Sequence, residues 1–325
     1  MRGLHALWPA ALLLTSLVAG TGSHAATIET YRGLCDASAA EATDAQHFVV
    51  ASDEDNVLRL YTRGEPEPIG QLSLDGVLGT GRREADIEGA ARIGSRLYWI
   101  SSHGRNSSGK RREERLRLFA TDAEDGLLQP AGAAYTRLLD DLLAAPTLQH
   151  LKLDQAAQLA PEAPGGLNIE GLAATPEGGL LIGFRNPIPN GRALVVPLLN
   201  PAEVVEHGRT AQFGEPVLLP LRNRGVRSIE RIGGAYWIVA GPTADRGSFS
   251  LYRWSGRAGD APQLQDSAAF TGLQPEALFA WPGSGELQFL SDDGGLDVAG
   301  TPCKKLPPAR QAFRAVVMPK PPQPR

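Results

Sequence analysis

Asp86-Ile87-Glu88-Gly89 is followed by Leu97-Tyr98-Trp99-Ile100, a polar turn at Ser101-Ser102-His103, and a β-prone run from Leu116 to Ala120. The same order of elements occurs five times: a Glu beside a short apolar stretch, a turn, a β-prone run, a polar turn, and a second β-prone run. Upstream lie Glu41, Phe48-Val49-Val50, Ser52-Asp53-Glu54 and Val57 to Tyr61. Downstream, Asn168-Ile169-Glu170-Gly171 precedes Leu180-Leu181-Ile182, Arg185-Asn186 and Ala193 to Leu199. Ser228-Ile229-Glu230 then leads into Tyr236-Trp237-Ile238-Val239 and Ser248 to Trp254. The final copy is Gln274-Pro275-Glu276-Ala277, Leu287-Gln288-Phe289-Leu290, Ser291-Asp292-Asp293 and Leu296 to Ala299.

Successive Glu residues are 47, 82, 60 and 46 positions apart, and the short intervals match the roughly 40–50 residues of one four-stranded propeller blade. The sequence therefore predicts an all-β fold, a five-bladed β-propeller. The long interval holds residues 135–159, where Leu138, Leu142, Leu148 and Leu151 fall at helical spacings around Pro146. A two-helix insertion is expected there, with a degenerate sixth blade as the alternative. Frequent Gly (37) and Pro (25) suit many short strands joined by turns.

The 325 residues carry a net charge of −4, which gives no basic footprint for nucleic acid. Residues 1–25 read as a signal peptide: Arg2 is the positive region, Ala6 to Val18 the apolar run, and Ser23-His24-Ala25 the small-x-small cleavage site. The apolar run is shorter than a membrane span needs, and no second one approaches that length. The mature chain, 26–325, is read as one exported propeller domain, periplasmic or extracellular and monomeric, with a frayed tail at 320–325. In an oxidising compartment Cys35 and Cys303, the sole cysteines, are expected to form a disulfide joining the two chain ends. Two buried thiols are the competing reading.

Residues recurring at one point of each blade form a ring about a propeller's axis. Glu88, Glu170, Glu230 and Glu276, with Glu41 as a fifth member, are thus expected to converge. Confined carboxylates repel, so they protonate, pair with Arg or bind a cation. A set of flexible oxygen ligands favours Ca²⁺. The alternative is structural: each Glu accepts backbone N–H groups of the neighbouring blade. Arg105-Asn106 and Arg185-Asn186 follow corresponding β-runs and are candidate anion ligands. His103, at a strand end, is the candidate general acid or base, with Glu170 beside it in the catalytic reading.

Other motifs are incomplete. Gly104, Gly109 and Lys110 fit a phosphate loop, but Arg111 replaces the hydroxyl residue that would hold Mg²⁺. There is no H-E-x-x-H, no G-x-S-x-G and no zinc spacing. Asp53-Glu54-Asp55 and Asp292-Asp293 read as turn residues, and Trp99 and Trp237 as blade core.

Gly33-Leu34-Cys35-Asp36, Asp53-Glu54-Asp55-Asn56, Glu84-Ala85-Asp86-Ile87-Glu88-Gly89, Ser102-His103-Gly104-Arg105-Asn106 and Leu167-Asn168-Ile169-Glu170-Gly171 together resemble a bacterial family of exported proteins known as domain of unknown function 3616. More loosely, the Glu-Gly units are similar to esterase-like and phytase-like propellers. That likeness implies phosphoester substrates and calcium. Arg231, Ala42 and Ala277 stand where the pattern has Gly after Glu. Two functions follow as expectations: a module binding a small anionic ligand or protein partner at the channel mouth, or a calcium-assisted phosphoester hydrolase.

Overall fold

A computed structural model describes residues 26–124, 127–244 and 246–320. The signal-peptide reading and residues 321–325 lie outside them. After β1 (Thr27–Arg32), the first blade comprises β2 (Ala39–Ala42), β3 (His47–Ala51), β4 (Val57–Thr62) and β5 (Pro68–Ser73). The second is β6 (Ile87–Ile93), β7 (Arg96–Ser101), β8 (Leu118–Glu124) and β9 (Leu127–Tyr135). The third is β10 (Asn168–Ala174), β11 (Leu180–Asn186), β12 (Ala193–Leu198) and β13 (Val217–Leu219). The fourth is β14 (Gly225–Ile232), β15 (Ala235–Gly241), β16 (Ser250–Trp254) and β17 (Gln263–Leu264). The fifth uses β18 (Pro275–Ala280) and β19 (Glu286–Ser291), passes a small hairpin of β20 (Asp297–Val298) and β21 (Thr301–Pro302), and continues with β22 (Ala312–Pro319).

These strands make five antiparallel four-stranded sheets, a five-bladed β-propeller. The inner strands β2, β6, β10, β14 and β18 touch in succession, and β18 meets β2 to close the ring. The fifth blade runs β18-β19-β22-β1 from hub to rim, so the N-terminal strand completes the C-terminal blade, with Thr27 opposite Val317 and Arg32 opposite Ala312. Cys35 and Cys303 are joined by a disulfide with a Cα separation of 5.9 Å.

Each blade packs both faces against neighbours, which is why its middle strands are apolar without alternation; β11 and β15 are buried along their whole length. The core is accordingly five wedges, one per blade interface. Between the fifth and first blades the wedge is aromatic, with Tyr31 edge-on to Phe48 at 5.0 Å and stacked on Phe313 at 5.4 Å. Trp99 and Trp237 are core residues.

The long interval is a helical insertion. Leu138–Ala144 and Leu153–Ala156 are α-helical, joined by 3₁₀ turns over Pro146–Leu151. Leu138, Leu142, Leu148 and Leu153 press into the wedge between the second and third blades. Among the described residues, no helix is long and apolar enough to cross a membrane.

Candidate functional site

Four of the five inner strands carry a β-bulge at the same height. The pairing jumps from Ile87 to Gly89 in β6, from Ile169 to Gly171 in β10, from Val226 to Ser228 in β14 and from Pro275 to Ala277 in β18. The unpaired residue is Glu88, Glu170, Arg227 or Glu276 respectively. A bulge redirects one side chain out of the pleat, and here all four are buried at the hub. The Gly after Glu has a steric origin. A Cβ at Gly171 would lie 2.7 Å from Val226 Cγ1, and one at Gly89 would lie 2.9 Å from Ile100 Cγ2. Ala277 and Ser228 are the small residues at the matching places.

This register corrects one sequence expectation. The fourth member of the ring is Arg227, not Glu230, which lies three residues further along β14 and pairs with Trp237. Glu230 instead shares a hydrogen bond with Glu41, across from it on β2. Burial pushes the Glu41 carboxyl up to about 7 and Glu230 well above the usual carboxylate range. Neither borders the hub cleft.

Arg227 fits among three carboxylates because it pairs with two of them. Its Nε lies 2.8 Å from Glu170 Oε2, and its other nitrogen meets Glu276. Glu170 also receives Arg185 at 3.0 Å and Asn168 Nδ2 at 3.0 Å. Arg185 occupies a second bulge, on β11 between the partners of Asn168 and Ile169, and reaches Glu162 at 3.6 Å. Glu170 and Glu276 are therefore neutralised by protein.

Glu88 is not. It is 8% exposed, and neither an ion pair nor a hydrogen bond reaches its carboxylate among the described residues. Burial, reinforced by Glu170, Asp86 and Asp53 and only partly opposed by the charge of Arg227, holds it well above the ordinary carboxylate range. Asp53, on the loop after β3, has a buried Oδ1 without a hydrogen-bond partner among the described residues and is likewise raised by burial and by Asp36 and Asp292. Carboxylate oxygens of Asp53, Asp86 and Glu88 lie within 4.8 Å of one another. Asp86 is the supported member, 2.9 Å from Arg115; burial still pushes it up to about 6. A second group, Asp36, Asp53 and Glu54, overlaps the first at Asp53.

Of these residues, Asp36, Asp53 and Glu88 open onto a cleft of about 920 Å³. Asp36, Asp53, Glu88 and Asp292 form an acidic part of its lining, and Phe249, Phe270 and Leu273 an apolar part. Arg246 and Lys304 also border it.

The remaining sequence candidates lie elsewhere. His103 is 2% exposed, in a left-handed backbone conformation with φ of 55°. Its Nδ1–H donates to the Ser101 carbonyl at 2.8 Å, while Nε2 is buried without a partner among the described residues. Burial pushes its pKa down to about 4, so the ring is neutral at pH 7. It does not border the cleft. Arg105 is directed to the helical insertion, donating to the carbonyls of Ala157 (2.8 Å) and Gly109 (3.1 Å) and to Gln158 (2.6 Å). Asn106 shapes its own turn by accepting from Ser108 and Lys110 N–H. Asn186 donates to the carbonyls of Pro161 and Ala163. Of the four candidate anion ligands, only Arg185 faces the cleft.

Residues 134–276 match the family model described as "Protein of unknown function (DUF3616)"; the resemblance read from the sequence holds over that span. No curated protein matches the chain. Solved structures similar to it include glutaminyl cyclase of Myxococcus xanthus, 13% identical over 81% of this chain and 90% of that one, TM-score 0.45. A putative oxidoreductase (glucose dehydrogenase) of Thermus thermophilus is 16% identical over 90% of this chain and 100% of its own, TM-score 0.46. The aldose sugar dehydrogenase of Streptomyces coelicolor, solved with PQQ bound, is 12% identical over 90% and 98%, TM-score 0.43.

Proposed function

We propose that the protein is an exported binding propeller whose hub holds a divalent cation, and through it a small anionic ligand. The observation that carries this reading is the contrast between neighbouring carboxylates. Among the described residues, Glu170 and Glu276 each have an Arg, whereas Glu88 is buried with no such partner and Asp53 keeps a buried Oδ1 that accepts nothing. A bare carboxylate in a confined site must be protonated or bound to a cation. Asp53, Asp86 and Glu88 supply oxygen donors alone, a set that suits Ca²⁺ over softer metals. Such a cation leaves coordination positions for an anion lying in the cleft, where Arg246 adds positive charge, Lys304 being already paired with Glu54 at 2.6 Å. The concavity favours a small ligand over a flat protein surface. The disulfide and the lack of an apolar spanning helix among the described residues are compatible with export.

Binding has more support than calcium-assisted phosphoester hydrolysis. His103, the residue suited to activating water, is closed off from the cleft, and Arg105 is engaged elsewhere. Thermal unfolding across a Ca²⁺ titration tests the reading: the melting temperature should climb with the logarithm of concentration. Asp53→Asn should lose that climb. Phenyl phosphate should then bind calorimetrically in Ca²⁺ and not in chelator. A wild-type protein indifferent to both Ca²⁺ and Mg²⁺ sinks the proposal.

A further inference from the structure

We infer that the Cys35–Cys303 disulfide is a positioning element for the hub, holding Asp36 and Asp292 as further ligands of the cation; this rests on the cation-binding reading above. Closure of the ring and placement of these acids are separate tasks. Pairing of β1 with β22 closes the propeller at its rim, two strands outside β18. Residues 33–38 then carry the chain inward from β1, the outermost strand, to β2, an innermost one, and Cys35 and Asp36 lie on that crossing. The disulfide ties this crossing, and not the rim pairing, to the segment that follows β19.

The contacts around the bridge converge on Asp36. It is 4% exposed and forms an isolated β-bridge with Asp292. On either side, Asp293 N–H donates to the Cys35 carbonyl at 2.9 Å and Gly294 N–H to Asp292 Oδ1 at 2.8 Å. Asp36 Oδ1 sits where residue 294 would place a side chain, 1.6 Å from an ideal Cβ, so the chain leaves a Gly-shaped cradle for this carboxylate. One of its oxygens falls within 4.8 Å of those of Asp53 and Glu54. Asp53 is common to this group and to the one with Asp86 and Glu88, whose buried, unpartnered Glu88 carboxylate borders the same cleft. The segment carrying Asp292 and Gly294 folds back through Cys303 N–H to the Leu296 carbonyl and Lys304 N–H to the Gly294 carbonyl. Its covalent anchor is Cys303. Two stretches whose cysteines are 268 residues apart thus present one acid each to the acidic part of the cleft, and the disulfide fixes their separation.

The test is a calorimetric Ca²⁺ titration of the full mature chain, with circular dichroism to establish that each variant is folded. Asp36→Asn and the double variant Cys35→Ser/Cys303→Ser should each weaken Ca²⁺ binding about tenfold or more. Combined, their effects should fall well short of multiplying, because the bridge acts through Asp36. If the folded serine variant binds within twofold of wild type while Asp53→Asn binds no Ca²⁺, the inference fails and the cation reading stands. A wild type that binds no Ca²⁺ overturns both. Should the serine variant not fold, Asp36→Asn and Asp292→Asn, which keep the bridge, decide the matter: unchanged affinity in both overturns the inference.

Discussion

Arg227 stands 2.8 Å from Glu170 through Nε and contacts Glu276 through its opposite nitrogen, so one guanidinium joins inner strands β10, β14 and β18. Burial pushes its pKa down from the usual guanidinium value, but a guanidinium remains charged throughout the accessible pH range. Arg227→Met would leave two buried carboxylates of which one, Glu276, has no other ion-pair partner among the described residues. The expected loss of stability is about 3–5 kcal/mol, the usual result of removing one member of a buried ion pair. Urea unfolding at pH 7 measures it. Arg227→Met combined with Glu276→Gln should recover part of the loss, and an equal loss in both variants would mean that charge is not the cause.

The Glu-Gly motif makes a separate prediction about packing. At Gly171 a methyl group would meet Val226 Cγ1 at 2.7 Å and Ile229 Cγ2 at 2.9 Å, both on the inner strand of the next blade. Gly171→Ala should destabilise by roughly 1–3 kcal/mol through overpacking. Gly178, in an open turn with φ of 84°, has no atom within 4 Å of the place a Cβ would take; Gly178→Ala tests backbone strain alone. Denaturation midpoints separate the two, and Val226→Ala should relieve part of the clash at 171, Ile229 remaining, but none of the strain at 178.

The propeller itself was legible because each blade repeats one order of strand and turn, and because inner strands must bury both faces. Glu88, Glu170 and Glu276 were legible for the same reason. Glu230 misled because matching by letter skipped Arg227, which occupies the bulge as Val-Arg-Ser where the other strands have Ile-Glu-Gly or Pro-Glu-Ala. The shared property is a charged residue followed by a small one, set by the close approach of the next blade, and opposite charges satisfy it equally. Asp53 and Asp292 read as turn residues, and Asp36 enters only within the Gly33-Leu34-Cys35-Asp36 stretch. Asp is common in any turn, and their convergence depends on how three loops fold over the hub, which no local pattern records.

The acidic hub should make stability pH-dependent in a direction opposite to ordinary salt-bridged carboxylates. Burial and Asp292 push Asp36 up to about 8, and burial pushes Asp86 up to about 6 and Glu41 up to about 7. Each folded value exceeds that of the unfolded chain, so the folded state binds more protons and stability falls as pH rises through these values. His103 runs the other way, because its folded value of about 4 lies below its unfolded one. That contribution is complete above roughly pH 6.5. Between pH 6.5 and 8.5 in chelator the melting temperature should therefore decline. In Ca²⁺ the decline should be smaller, and the gap between the two curves should widen with pH as the cation replaces protons. Parallel curves would show that the carboxylates and the cation do not compete.

Glu88→Gln distinguishes a cation ligand from a structural carboxylate. Were Glu88 structural, its removal would lose a partner and destabilise the protein under all conditions. Because it is buried with neither an ion pair nor a hydrogen bond among the described residues, replacing it with a neutral side chain of the same shape removes a like charge from beside Asp53, Asp86 and Glu170. In chelator at pH 8 the variant should be more stable than wild type, since it no longer carries a carboxyl that burial holds above its ordinary range. On adding Ca²⁺ the order should reverse, wild type gaining with concentration and the variant gaining little. Paired unfolding curves with and without Ca²⁺ give both signs in one experiment. A variant less stable than wild type in chelator would assign Glu88 a structural partner and remove it from the cation site.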